Sequence, residues 1–131
     1  MRVTGIDHLV LTVASIEAAV DFYSRVLGME VIIFGQGRTA LRLGGQKINL
    51  HAARAPIAPH ADRPVPGSAD LCLVAVGGID AAAAHLAACG VPVELGPVER
   101  AGARGSVRSL YVRDPDRNLV ELAFYDGAGE A

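Results

Sequence analysis

The feature that most constrains the fold of this chain is an internal repeat. A shift of 62 residues lays His8-Leu9-Val10-Leu11 over Asp70-Leu71-Cys72-Leu73 and Gly28-Met29-Glu30-Val31 over Gly90-Val91-Pro92-Val93. Two copies of one supersecondary unit each have an apolar face to bury, so the unit dictates the architecture. In the first copy, residues 4–13 carry the apolar residues of a strand. Ser15 then stands as N-cap to SIEAAVDFYSRVLG, where Ile16, Val20, Tyr23 and Val26/Leu27 share a helical face and Gly28 supplies the stop. Strands are predicted at about 29–34, 38–43 and 46–53, parted by GQG and GG turns.

The second copy keeps this order. SADLCLVAV reads as a strand, IDAAAAHLAAC as a helix ended by Gly90, and further strands fall near 91–95, 106–113 and 118–125. Its last pair aligns with that of the first copy at a shift of 70 to 72, and the longer turn is Asp114-Pro115-Asp116-Arg117-Asn118, rich in turn formers. Between the copies ARAPIAPHADRPVPG is Pro-rich and reads as a linker. The chain is thus expected to be one domain over residues 1–131, with module one at about 4–53, a linker at about 54–67 and module two at about 68–126. One helix against a mostly antiparallel sheet in each βαβββ module makes the class α+β.

Charge and composition narrow the partners. Twelve Lys plus Arg face fourteen Asp plus Glu, so no basic field exists to hold nucleic acid or anionic lipid, and a small-molecule partner is expected. Apolar residues make up 51% of the chain but lie in short runs, far below the roughly 20 in sequence that a membrane span needs. MRVTGIDHLVL runs straight into a strand without the pattern of a secretory signal, and the expected location is the cytoplasm. Cys72 and Cys89 form no C-x-x-C pair, and both read as small core residues.

The order of elements, together with IDHLVLTV, SIEAAVDFYSRVLGMEV, DPDRN and NLVELAFY, closely resembles the vicinal oxygen chelate superfamily of glyoxalases, bleomycin-resistance proteins and extradiol dioxygenases. INLH, PVPGSADLCL, GPVERAGARG and RDPDRNLVEL look most like its small single-domain glyoxalase-like members. The resemblance implies two modules forming a curved, partly open mixed sheet with a central groove, one divalent metal per site (Zn, Ni, Mn, Co or Fe) and a homodimer.

It also implies ligands on the first and last strands of each module, which here are His8, Asn49, Asp70 and Glu121. Asn49 stands where a Glu is common and Asp70 where a His is. His51 shares the face of Asn49 two residues along the strand and is an alternative ligand, so the metal set is read as His8, His51, Asp70 and Glu121. Each has a plainer reading: His8 as a core histidine, His51 as surface, Asp70 as a turn cap or a partner to a neighbouring His. A buried Glu121 needs a cation or a hydrogen-bond partner. Glu121 and Asp70 are the candidate proton carriers. Ser109, Tyr111 and Arg104 are the candidate substrate contacts, with Arg104 in a loop thought mobile; Tyr111 equally suits the core. His60 in the linker and His85 in the helix read as structural or solvated.

The leading functional expectation is a glyoxalase-like, metal-dependent lyase or isomerase whose substrate chelates the metal through adjacent oxygens. The alternatives are an Fe-dependent extradiol-type dioxygenase using His8, His51 and Glu121, and a metal-free small-molecule binding or resistance protein.

Overall fold

A computed structural model describes residues 1–125 of the 131-residue chain; residue 126, the expected end of module two, lies outside them. The chain divides after Ser68 into two compact units, which puts the Pro-rich segment with the first. Each unit holds its own open, four-stranded mixed sheet.

Module one runs β1 (His8–Val13), α1 (Ile16–Asp21), β2 (Glu30–Phe34), β3 (Arg38–Leu43) and β4 (Gln46–Ala52), in the spatial order β1-β4-β3-β2. The first strand pairs parallel with the last and the remaining pairs are antiparallel. β1 begins at His8, later than the apolar pattern implies, because its partner β4 begins only at Gln46; there the Gln46 amide donates to the Ile6 carbonyl at 3.1 Å. Ser15 caps the helix as expected, its Oγ accepting from the Ala18 N–H at 3.1 Å. After Asp21 the helix widens into a π turn, Phe22–Val26, before Gly28 ends it at φ 76°. The wider turn brings Ala19, Phe22, Tyr23 and Val26 inward, and Val20 and Leu27 are only half-buried. These residues join Leu11, Val13, Leu41, Ile48 and Leu50, which the period of two puts on one face of the sheet.

Module two repeats the order with β5 (Asp70–Val74), α2 (Ile79–Ala88), β6 (Leu95–Gly102), β7 (Gly105–Arg113) and β8 (Leu119–Tyr125), arranged β5-β8-β7-β6. Leu86 of α2 is buried, as are Leu110, Val112, Val120, Leu122 and Phe124 of the sheet. The Asp114–Asn118 turn is held internally: Asp114 Oδ1 accepts from the Asp116 and Asn118 N–H groups, and Asn118 Nδ2 donates to Asp114 Oδ2 at 2.8 Å. Asn118 Oδ1 also accepts from the Ala69 N–H at 2.9 Å, tying the turn to the start of β5.

One strand is misplaced by the sequence pattern. Residues 91–94 are not strand; the hairpin strand is β6, built largely from the GPVERAG segment that the predicted strands left uncovered. β6 is an edge strand with a register break between Leu95 and Val98, which is where Pro97 is tolerated. Among the described residues, no helix is long and apolar enough to cross a membrane.

Candidate functional site

On module one, the candidate donors stand on the sheet face opposite the buried leucines and valines. The parallel register sets His8 beside Lys47, Val10 beside Asn49 and Thr12 beside His51. His8 Nδ1 donates to Asp7 Oδ1 at 2.7 Å, so the Nε2 lone pair is left for another partner.

His51 is nearly buried, at 5% exposure, and Arg38 Nη2 lies 3.3 Å from its Nε2. A guanidinium has donors only, so Nε2 accepts and the neutral ring carries its proton on Nδ1. That Nδ1 is buried with no hydrogen-bond partner, as is Asn49 Oδ1. Burial first, then the charges of Arg38 and His60, hold the proton affinity of His51 below that of an ordinary imidazole. In this arrangement a metal would have to compete with Arg38 for the Nε2 lone pair of His51.

His60, read from sequence as structural or solvated, lies beside the same spot. The Pro-rich segment folds back so that Pro59, His60 and Pro64 close a cavity of about 440 Å³ against Val10, Thr12 and His51. His60 is held on its rim by Nδ1 donating to the Ala61 carbonyl at 2.9 Å. No sequence pattern marks this folding back.

On module two, the register lines up Cys72, Glu121 and Tyr111 in one row, with Asp70 one pleat repeat away. Ser109, fully buried, donates to Glu121 Oε2 at 2.7 Å. Among the described residues no Lys or Arg forms an ion pair with Glu121 or Asp70. Arg100 Nε donates to the Tyr111 hydroxyl at 3.0 Å, so the phenol proton is free to point at another acceptor. Arg100 was not singled out by sequence; its place opposite Val107 in the β6–β7 ladder could be read only once β6 was known.

Two sequence expectations change here. Cys72 is not a core residue: Leu71 and Leu73 are the more buried positions of β5, and Cys72 lies exposed on the face of Glu121. Its thiol is pushed up to about 11, by desolvation first and then by the Glu121 and Asp70 carboxylates. Arg104 is not in a free loop either. It sits in the tight β6–β7 turn, its N–H donating to the Tyr125 hydroxyl at 3.0 Å and its guanidinium 4.3 Å from the Tyr125 ring centroid.

The raised thiol has a measurable consequence. A rise from 9.0 to about 11 lowers the thiolate fraction at pH 8 by about 100-fold, so Cys72 should alkylate with iodoacetamide that much more slowly than an ordinary thiol. Glu121→Gln, which removes the carboxylate with the larger effect on the thiol, should speed the reaction; peptide mapping of the modified protein over a pH series reads both rates. Equal rates in the two proteins would show that Glu121 does not set the field at Cys72.

Among the described residues, no three His, Cys, Asp or Glu side chains within either module are grouped to hold one metal ion. The side chains whose chemistry suits a divalent ion are His8 through Nε2, Glu121 through its second oxygen, and the exposed carboxylate of Asp70.

Two βαβββ modules with these residues on the first and last strands fit the glyoxalase fold, and the chain belongs to the Glyoxalase/Bleomycin resistance protein/Dioxygenase superfamily, whose family model matches residues 5–122. It is 50% identical over 128 residues to the glyoxalase domain-containing protein RDO1 of Mycosarcoma maydis, covering 98% of this chain and 72% of that one. It is 46% identical over 125 residues to virulence protein STM3117 of Salmonella typhimurium, covering 95% of this chain and 87% of the relative. The crystal structure of STM3117 matches with a TM-score of 0.93 over 95% of this chain and 99% of that one. Lactoylglutathione lyase from Agrobacterium tumefaciens matches with a TM-score of 0.70 at 25% identity, over 95% of this chain and 96% of that one.

Proposed function

We propose that the protein is a glyoxalase-like enzyme, of the lyase or isomerase type, that uses a divalent ion, for which the family resemblance offers His8, Asp70 and Glu121 as ligands, to act on a small substrate with two adjacent oxygens. The observation that carries this reading is Glu121: a half-buried carboxylate held by a neutral serine, with no cation paired to it among the described residues. Such a group asks for a positive partner. Family membership and the lyase among its structural relatives support the same chemistry. The extradiol alternative would need from His51 a lone pair that Arg38 engages.

The bound ion would supply a Lewis acid that holds the paired oxygens and stabilises negative charge developing on them. Asp7 fixes the ring of His8 and directs Nε2 outward. Ser109 pins one oxygen of Glu121, which fixes the carboxylate plane and leaves the other oxygen to bind or to take a proton. Asp70, exposed on the same face, is the second proton carrier. Tyr111, with Arg100 donating into its hydroxyl, turns its own proton toward a substrate oxygen. The substrate-contact role proposed from sequence for Arg104 fits Arg100 better, because Arg104 is spent on Tyr125.

Equilibrium dialysis at neutral pH tests the reading: wild-type protein should retain Zn²⁺, Ni²⁺, Mn²⁺ or Fe²⁺ that the His8→Ala/Glu121→Ala double variant releases. Equal retention would sink the enzyme and put a metal-free small-molecule binding module in its place. That second reading draws on Asn49 standing where a carboxylate is usual and on the lack of a three-donor cluster within either module.

We also propose a homodimer, as the family resemblance implies; exposed Val10, Val74 and Leu95 on the site-bearing strands give it apolar surface to cover. Light scattering should return twice the chain mass at micromolar concentration, and a monomer at every concentration would remove the dimer.

A further inference from the structure

We infer that module one carries a carboxylate subsite, in which the Nδ1–H of His51, oriented by Arg38, donates to an oxygen of the bound small molecule at the cavity closed by Pro59, His60 and Pro64. The subsite is independent of the metal reading, since it assigns His51 a donor's role and removes it from the metal set.

Three observations converge on it. The first is the ring itself: Arg38 can only donate to Nε2, which forces the proton onto Nδ1, and that donor is buried with no acceptor. A buried N–H left unpaired is costly, and His51 lines the adjoining cavity, so an acceptor oxygen that reaches the ring there removes the cost. The second is charge. Arg38 and Lys47 both lie over the Phe34 ring, at 5.0 and 3.8 Å from its centroid, and among the described residues neither is paired with a carboxylate. Two uncompensated cations on one small surface favour an anion there. The third is the cavity, which is walled by Val10, Pro59 and Pro64 and offers the Thr12 hydroxyl and the His60 ring beside His51. A mostly apolar wall with a few convergent donors suits the end of a small organic acid. Burial first, and then the charges of Arg38 and His60, disfavour protonation of His51, so it serves as a fixed hydrogen-bond donor while Arg38 supplies the charge.

The experiment uses full-length protein labelled with ¹⁵N-histidine, stripped of metal and titrated with sodium acetate or, separately, inorganic phosphate, at ionic strength held constant with chloride. In the unliganded protein the His51 ring should show its proton on Nδ1. Acetate should move that resonance saturably, and Arg38→Gln should weaken the response by about 10-fold or more while the protein stays folded. Zn²⁺ retention of Arg38→Gln and His51→Gln in dialysis should equal wild type. The inference is overturned if the proton resides on Nε2, if acetate produces no saturable shift, or if Zn²⁺ retention falls with His51→Gln; a response to phosphate alone overturns the carboxylate assignment. Saturable acetate binding in a protein that retains no metal would leave the subsite standing and remove the metal enzyme, and the reverse pattern would do the opposite.

Discussion

Glu121→Ala is expected to lower affinity for Zn²⁺ by more than about 100-fold, an effect matched at the proposed site only by His8→Ala. Glu121 projects from β8 with Oε2 fixed by Ser109, so removal of the side chain takes away both a charge and an oriented donor. Ser109→Ala keeps the carboxylate but frees it to rotate, and should cost about 10-fold. His8→Ala should behave like Glu121→Ala, and His51→Gln should leave affinity unchanged because His51 points no lone pair outward. Competition against a metal-sensitive dye measures all four proteins under one set of conditions. If Glu121→Ala bound Zn²⁺ as tightly as wild type, Glu121 would be no ligand, whatever its neighbours.

Gly96→Ala is expected to destabilise the protein by about 3 kcal/mol or more, although it adds one methyl group to an exposed edge strand. Gly96 sits at φ 124°, where L side chains are strained, and a Cβ there would strike the Ser109 carbonyl oxygen and lie 3.1 Å from Leu110 Cα. Both atoms belong to the backbone of β7, so the clash is relieved only by moving that strand. Urea unfolding should show the loss as a lower midpoint at unchanged slope. Because Ser109 holds Glu121, the surviving folded protein should also bind Zn²⁺ more weakly, by an amount close to that of Ser109→Ala. A midpoint within error of wild type would mean that the hairpin accommodates the methyl group.

Much of the molecule was legible where local chemistry and periodicity agree. Ser15, Gly28 and Gly90 mark helix ends by capping and by positive φ, and the Asp114–Asn118 turn declares itself through its residues. β6 was not legible, because Gly96, Pro97, Gly102 and Gly105 give an edge strand the composition of a loop. Cys72 was hidden in the apolar run LCLVAV, whose alternation separates inward Leu71 and Leu73 from outward Cys72 and Val74 only when the strand is known to have one covered face. For the candidate site, the family resemblance singled out His8, Asn49, Asp70 and Glu121 as residues of the first and last strands of the two modules, which no periodicity does. The pairing of His51 with Arg38 was within reach: the Gly44–Gly45 turn sets Leu43 against Gln46, and counting back along both strands brings Arg38 to His51. What no counting supplies is the return of the Pro-rich segment to that spot, since it rests on packing of proline rings and not on a periodic pattern.

In each module the first strand pairs with the last, so the ladder that completes the sheet joins residues about 40 to 50 positions apart, His8 with Lys47 and Asp70 with Leu119. Closing so long a loop before the intervening helix and hairpin exist costs entropy that a few strand bonds do not offset. The amides of β1 and β5 therefore become protected late in refolding, after those of the β3–β4 and β7–β8 hairpins, and pulse-labelling by hydrogen exchange would resolve the order. His8 and Asp70 open those two late strands, so two of the three residues proposed to hold the metal are among the last parts of each module to be organised.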